Sequence, residues 1–511
     1  MFRSPLLILF FVAGLVPLSW AADTTQEVSY ADGGTLERLP GSFPSDIELP
    51  QLGDPADTAL SPMQEARLGA EVVSQLYAYE YLVEDPQLTD YLTATGWRLA
   101  AASDARPERL QIFVIKDDRI NAFALPGGYM GFNAGLITAS EHEGELAGVM
   151  AHELAHVTQR HIARGAASGG GLATIATWAA VLAAIIAGSA DPNVILAALG
   201  IGQTISYQRQ VAFTRAHEIE ADRIGIQTLS EAGFDTRGMA GFFQTLEQQS
   251  RLYGNGVPEF LRTHPINTSR ITEARARAAA LPNAKAPDTI EYQLMKARTK
   301  VFAADQPSAA LGTFTALIAS GQDTPAHRYG KALALSRLGQ NKRALETIQS
   351  TLDMYPTQIN LLLLQAEIQA GAGDSEQALE TYRRALERHP RAGAAILEYS
   401  EALIHHGQPE AARKILLAAE PSFGARVDVY RLLSLAARQM DNDAEASYQM
   451  ATYLFMRGDA GGALSQLDAG LRLKSLNKQE RARLIARRAE VRDALPRNWD
   501  PDRDDRNRRR R

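Results

Sequence analysis

The stretch Glu145-Leu-Ala-Gly-Val-Met-Ala-His152-Glu153-Leu-Ala-His156-Val-Thr-Gln-Arg160 decides how the N-terminal half of this chain is read. It has no proline and is helix-compatible throughout, and residues four apart on a helix share a face. His152 and His156 therefore stand side by side, where both can hold one zinc ion, and the adjacent Glu153 can reach the remaining position and accept a proton from water. Two nitrogens are too few, because a catalytic zinc takes three protein ligands and keeps one position open. The 511-residue chain has no cysteine, so the third ligand is a His, Asp or Glu. No H-x-x-G-x-x-H continuation follows. The best candidate is His217-Glu218-Ile219-Glu220-Ala221-Asp222, where Glu218 and Asp222 are four apart, so that one carboxylate can bind metal while the other braces a ligand histidine. Spacing leaves both Glu218 and Glu220 open as the ligand. His161 comes five residues after His156, which on a continuous helix rotates it off the ligand face; packing or hydrogen bonding is its expected role. His142 and His217 have no geometric claim on the metal.

Outward from this segment, Leu110 to Ile115 is a β-branched and aromatic strand candidate, and Pro126-Gly127-Gly128 is a turn followed by a second short strand near Tyr129 to Asn133. Strands set among long helical patterns predict an α+β domain with a small sheet over residues 59–285. An extended substrate can add to the strand after the turn, which makes Asn121, Gly127, Gly128 and Tyr129 the expected substrate-binding stretch.

The remaining regions have their own signatures. Arg3, the apolar run Leu6 to Val16 and Ser19-Trp20-Ala21 form an export signal over 1–21, and an extended lead-in covers 22–58. Export without cysteine fits the periplasm of a Gram-negative bacterium. The formal charge of −6 argues against a nucleic-acid partner. Leu172 to Ala190 is 19 residues without a charge. A single span there would place His152 and Glu218 on opposite sides of a membrane, so 172–205 is read as a helical hairpin covering the cleft or touching a membrane surface. Ala310, Ala344, Ala378, Ala412 and Ala446 recur every 34 residues, in step with Gly339, Gly373 and Gly407 and with Pro356 and Pro390. Small residues at that period resemble the tetratricopeptide repeat and predict an all-α solenoid over 286–495 that binds partners, with an irregular cap where Gly458 and Ala463 fall half a period out of step. A charged tail, 496–511, follows.

His-Glu-Leu-Ala-His with Glu218-x-x-x-Asp222 about sixty residues later resembles the M48 zinc metallopeptidases. Asn121-Ala-Phe-Ala-Leu-Pro-Gly-Gly-Tyr129, and Thr263-His264-Pro265 followed by Arg270-Ile271, match further segments of that family. The resemblance implies a zincin-like domain with one zinc per chain, Glu218 as third ligand and Asp222 as its supporting carboxylate. With an export signal in front and repeats behind, it points to the periplasmic branch of the family. There it implies unfolded or stalled outer-membrane proteins as substrates, the barrel-assembly machinery as a partner of the repeats, and His264 as a regulatory fourth ligand that displaces water. His264 could otherwise steady the transition-state oxygen. The competing expectation is a chaperone or scaffold whose zinc braces the fold; an intact Glu153 speaks against it.

Overall fold

The computed structural model of the chain describes residues 60–105, 107–169, 205–252, 260–261, 264–265, 268–282, 287–423, 426–493 and 495. The export signal at 1–21, the extension at 22–58, the apolar segment at 172–204 and the tail at 496–511 lie outside the described residues.

Two helices open the described chain, and local chemistry starts both. Ser61 and Gln64 form a reciprocal capping box ahead of α1 (Pro62–Ala78), and the Asp85 carboxylate accepts from the Leu88 N–H at the head of α2 (Pro86–Ala101). Each helix has proline at its first position, where the missing N–H costs nothing. Then come β1 (Gln111–Ile115), β2 (Ala122–Leu125) and β3 (Tyr129–Asn133), in the spatial order β1-β3-β2. β3 runs parallel to β1, with Gln111 opposite Tyr129, and antiparallel to β2, with Ala122 opposite Phe132. The turn between β2 and β3 needs its glycines. Gly128 has φ +84°, and a Cβ there would lie 2.0 Å from the Arg109 carbonyl oxygen.

This order corrects one expectation. The strand after the Pro-Gly-Gly turn is the middle of the sheet, hydrogen-bonded on both sides, so Tyr129 to Asn133 has no edge to offer a substrate. Gly127 packs on Ala66, Gly128 on Arg109, and Tyr129 is buried with Val73 and Leu76. The edges are β1, bridged at its far end by the Leu82 stretch, and β2, a four-residue strand that begins just after Asn121.

Helices α3 (Ala134–Ala139), α4 (Glu143–Thr158), α5 (His161–Gly169), α6 (Ile205–Glu231), α7 (Gly238–Leu252) and α8 (Thr268–Ala280) complete this half. α4 is buried at every position from Glu143 to Ala155 and is wedged between α6, α7, α2 and the sheet. Such all-round burial marks a central helix. α4 and α7 meet glycine to glycine: a Cβ on Gly238 would fall 1.9 Å from the Gly144 carbonyl oxygen.

The rest is helical hairpins: α9 (Ile290–Ala303), α10 (Pro307–Ala319), α11 (Pro325–Arg337), α12 (Asn341–Met354), α13 (Ile359–Gly371), α14 (Ser375–Arg388), α15 (Gly393–His405), α16 (Pro409–Phe423), α17 (Val427–Gln439), α18 (Asp443–Met456), α19 (Ala460–Leu471) and α20 (Lys478–Asp493). The 34-residue alanines are buried on α10, α12, α14, α16 and α18. Gly339, Gly373 and Gly407 take left-handed φ between paired helices, and Asp441, the next position in that series, holds φ +55° without being glycine. The fold is thus a mostly helical α+β domain with a small sheet, followed by tetratricopeptide-type repeats.

The two halves share one apolar core running from Leu88 to Ile368. Over it lies a polar clasp at the head of α2. Arg298 donates from Nε and Nη2 to both Asp85 oxygens at 2.7–3.0 Å and from Nη1 to the Tyr329 hydroxyl. Gln87 donates to Glu398, Asp90 pairs with Arg426, and Glu84 pairs with Arg457. The repeats thereby curl around α2. Among the described residues, no helix is long and apolar enough to cross a membrane.

Candidate metal centre

α4 carries His152, Glu153 and His156 into the buried heart of the first half, and α6 packs alongside it to bring Glu218 and Asp222. A short stretch between α7 and α8 adds His264. His152 Nε2 lies 3.1 Å from His156 Nε2 and 3.3 Å from His264 Nδ1. Glu218 completes the cluster, 3.4 Å from His152 Nε2, 3.5 Å from His156 Nε2 and 3.1 Å from His264 Nδ1. A tetrahedron with metal–ligand bonds of about 2.0–2.1 Å has edges of about 3.3 Å, so these spacings fit one tetrahedral divalent ion and the His/Glu donor set suits zinc. Glu220, the other carboxylate left open by spacing, points elsewhere: it meets His161 Nε2 and Arg164 Nη1, each at 3.1 Å.

Supporting contacts hold these donors. His152 Nδ1 lies 3.0 Å from Asp222 Oδ1. Buried Arg270 donates to both Asp222 oxygens at 2.7 and 2.8 Å, approaches Glu218 at 3.0 Å and donates to the Pro265 carbonyl. One guanidinium therefore ties the third donor, its supporting carboxylate and the His264 segment together. The sequence pointed to Arg270 only as part of a matched segment; its clamping contacts depend on α6 and α8 packing side by side.

Electrostatics agree with a cation site. Burial alone would raise the Glu218 carboxyl, yet His264, His152 and His156 around it hold it well below the ordinary range. Burial disfavours a charged His152, but Asp222 and Glu218 outweigh it and carry the ring up to about 10, so the acid pair demands a positive charge that a divalent ion can supply in the proton's place. Burial pushes His156 well below the imidazole range, leaving the lone pair a ligand needs. Glu153 is different. Burial pushes its carboxyl up, against the pull of His264 and His152, and neither oxygen has a hydrogen bond of regular geometry. A buried carboxylate with raised proton affinity and no regular hydrogen bond, set beside a metal cluster, suits a general base.

β2 supplies the adjoining backbone. Asn133 donates its N–H to the Asn121 carbonyl, so in this antiparallel pair residues 121, 123 and 125 bond β3 while Ala122 and Ala124 turn their peptide groups to the free flank. The Ala124 peptide lies against Glu153. The Phe260 N–H bonds the Ile120 carbonyl, the Phe260 ring stacks on His264 at 4.6 Å, and His264 Nε2 stands 3.4 Å from Glu153.

A helix-borne histidine pair, a carboxylate from a second helix and a buried glutamate beside them define a zinc metalloendopeptidase. A family model described as peptidase family M48 matches residues 86–278, and tetratricopeptide-repeat models match residues 294–359 and 369–434. The chain is 33% identical over 451 residues to the beta-barrel assembly-enhancing protease of Yersinia pestis, covering 88% of this chain and 92% of that protein. It is 32% identical over 444 residues to that of Escherichia coli K12, covering 86% and 90%. A mitochondrial metalloendopeptidase OMA1 from Arabidopsis thaliana is 26% identical over 226 residues, 43% of this chain and 42% of that protein. The chain belongs to peptidase family M48, with tetratricopeptide repeats behind the peptidase domain.

Proposed function

We propose that this chain is a periplasmic endopeptidase with one zinc per molecule, acting in the assembly and quality control of outer-membrane β-barrel proteins. The observation that carries the catalytic reading is the convergence of His152, His156 and Glu218 beside a buried Glu153 that makes no hydrogen bond of regular geometry. The names of the Yersinia and Escherichia relatives support the client class. The export signal read at 1–21 supports the compartment, and the repeats over 286–495 support docking of the barrel-assembly machinery. The apolar segment 172–205 is assigned a peripheral membrane contact.

The bound metal would polarise the scissile carbonyl and acidify water at the site. Glu153 takes the proton of the attacking water and delivers it to the leaving amine. Asp222 orients His152, and Arg270 holds Asp222 and Glu218 in place. An extended client adds to the outward peptide groups of Ala122 and Ala124, so selection reads backbone and favours unfolded or stalled strands over folded barrels. His264 occupies the fourth donor place where the reaction needs an opening, and its segment also covers the start of the β2 flank. This is the closed state of a latch, and it favours a second reading in which a mostly latched molecule works as an assembly chaperone.

Glu153→Gln separates catalysis from structure. The variant should lose casein cleavage by about 10²–10⁴-fold while binding zinc as the wild type does. Cleavage retained by Glu153→Gln, or equally vigorous cleavage by the chelated wild type, would remove the enzymatic assignment.

A further inference from the structure

Behind the metal cluster lies a second group of titratable side chains, His161, His217 and Glu220, whose donor atoms fall within 4.8 Å of one another. The chain reaches it through an unusual turn. Helix α4 stops at Thr158, Arg160 takes φ +49°, and α5 begins at His161. A non-glycine residue in that region is strained. Here Arg160 is held by Glu65 at 3.3 Å and by the Leu60 carbonyl at 2.8 Å. The turn undoes the rotation that a continuous helix would impose, and folds His161 back until its Nδ1 lies 2.9 Å from His156 Nδ1. On its far side His161 Nε2 is 3.1 Å from Glu220 Oε2, which Arg164 also holds at 3.1 Å. The His217 ring stacks on His161 at 4.1 Å, 5° from parallel, fixing its plane.

We infer that His161, with Glu220 behind it, is a positioning residue that fixes the tautomer of His156. The inference rests on His156 being a metal ligand through Nε2. Its single proton must then sit on Nδ1, and among the described residues the ring atom beside that proton is His161 Nδ1, which must accept it. His161 then carries its own proton on Nε2 and donates it to Glu220, whose charge Arg164 anchors. Every proton in the chain His156–His161–Glu220 has one donor and one acceptor. The same accounting disfavours a second metal between His161, His217 and Glu220: His161 would need lone pairs on both nitrogens, and the Arg164 cation already faces the carboxylate. Partners that orient metal-bound histidines this way typically change metal affinity by 10–100-fold.

The test uses the full chain with zinc affinity read by chelator competition, a readout independent of turnover. His161→Phe keeps the ring and loses the acceptor; His161→Asn places an amide oxygen near the lost Nδ1. We expect His161→Phe and His161→Ala to bind zinc about 10–100-fold more weakly, and His161→Asn to stay within about threefold of the wild type. Melting of the metal-free proteins reports whether each variant folds. Wild-type affinity in a folded His161→Phe, or an Asn variant as weak as the Phe variant, overturns the inference, as does binding of a second zinc equivalent that His217→Ala removes. If instead His156→Ala keeps zinc at wild-type affinity, the metal assignment itself fails.

Discussion

Asp85→Ala probes the clasp that seats the repeats on the peptidase half. Asp85 and Arg298 are each 3% exposed, and Arg298 meets both carboxylate oxygens at hydrogen-bond distance. Removing the carboxylate takes away the main counter-charge of a guanidinium that Asp85, against burial, raises well above its ordinary range, and leaves it the Tyr329 hydroxyl and a Glu367 oxygen 3.8 Å away. Stranding one partner of a buried ion pair costs about 3–5 kcal/mol. Asp85 also caps α2 through the Leu88 N–H, a contact worth about 1 kcal/mol, so the substitution should cost about 4–6 kcal/mol in all. Arg298→Met in the Asp85→Ala background removes the stranded charge, and the double variant should recover at least about 2 kcal/mol relative to Asp85→Ala. Urea unfolding followed by circular dichroism and by the fluorescence of Trp97 on α2 reads these differences. A cost below about 1 kcal/mol for Asp85→Ala, or a double variant no better than the single, would show that the pair is not what joins the halves.

Three further outcomes are expected. His264→Ala opens the fourth donor place, and basal casein cleavage should rise by about tenfold if the latch closes nine molecules in ten; unchanged or lower turnover removes the latch. Ala122→Pro deletes an outward N–H on β2 without touching the β2–β3 bonds or the Ala124 peptide beside Glu153, so kcat/KM should fall about tenfold or more with zinc content unchanged, and normal cleavage would move client binding elsewhere. Burial pushes the Glu398 carboxyl up to about 8, against Arg298 and the Gln87 amide, with Glu367 and Asp85 adding to the rise. The folded state therefore binds the proton more tightly than the unfolded chain, and stability declines as pH rises from about 4.5 to 8. Glu398→Gln should flatten that slope and raise stability at pH 8.5 by at least about 1 kcal/mol; an unaltered slope in thermal melts across pH 5–9 refutes the assignment.

Much of the catalytic half was legible because its signals are local. Helical spacing makes His152 and His156 neighbours whatever surrounds them, and the 34-residue series forces a solenoid because buried small residues and left-handed turns recur at one interval. β2 was not legible: four residues with two alanines carry no strand signature, and only pairing with β3 reveals a strand there. That omission is why the sequence alone puts the sheet edge one strand away from where it lies. His161 lies off the metal cluster and hydrogen-bonds, as expected, but the path that puts it there was not legible. A rotation of five residues presumes the helix continues, whereas Arg160 breaks it with a backbone state that Glu65 and Leu60, about a hundred residues upstream, hold in place.

What the sequence determined alone was everything set within a few turns of chain: the histidine pair, the adjacent glutamate, the turn glycines and the repeat period. What tertiary structure alone decided was every choice between near-equal candidates. Spacing left Glu218 and Glu220 level, with family resemblance alone favouring Glu218, and packing is what turns Glu218 to the histidines; likewise Arg270 clamps two carboxylates, and the repeats close over α2. Those outcomes depend on which helix faces pack together, and packing is settled by the sum of many distant contacts that no short window of sequence contains.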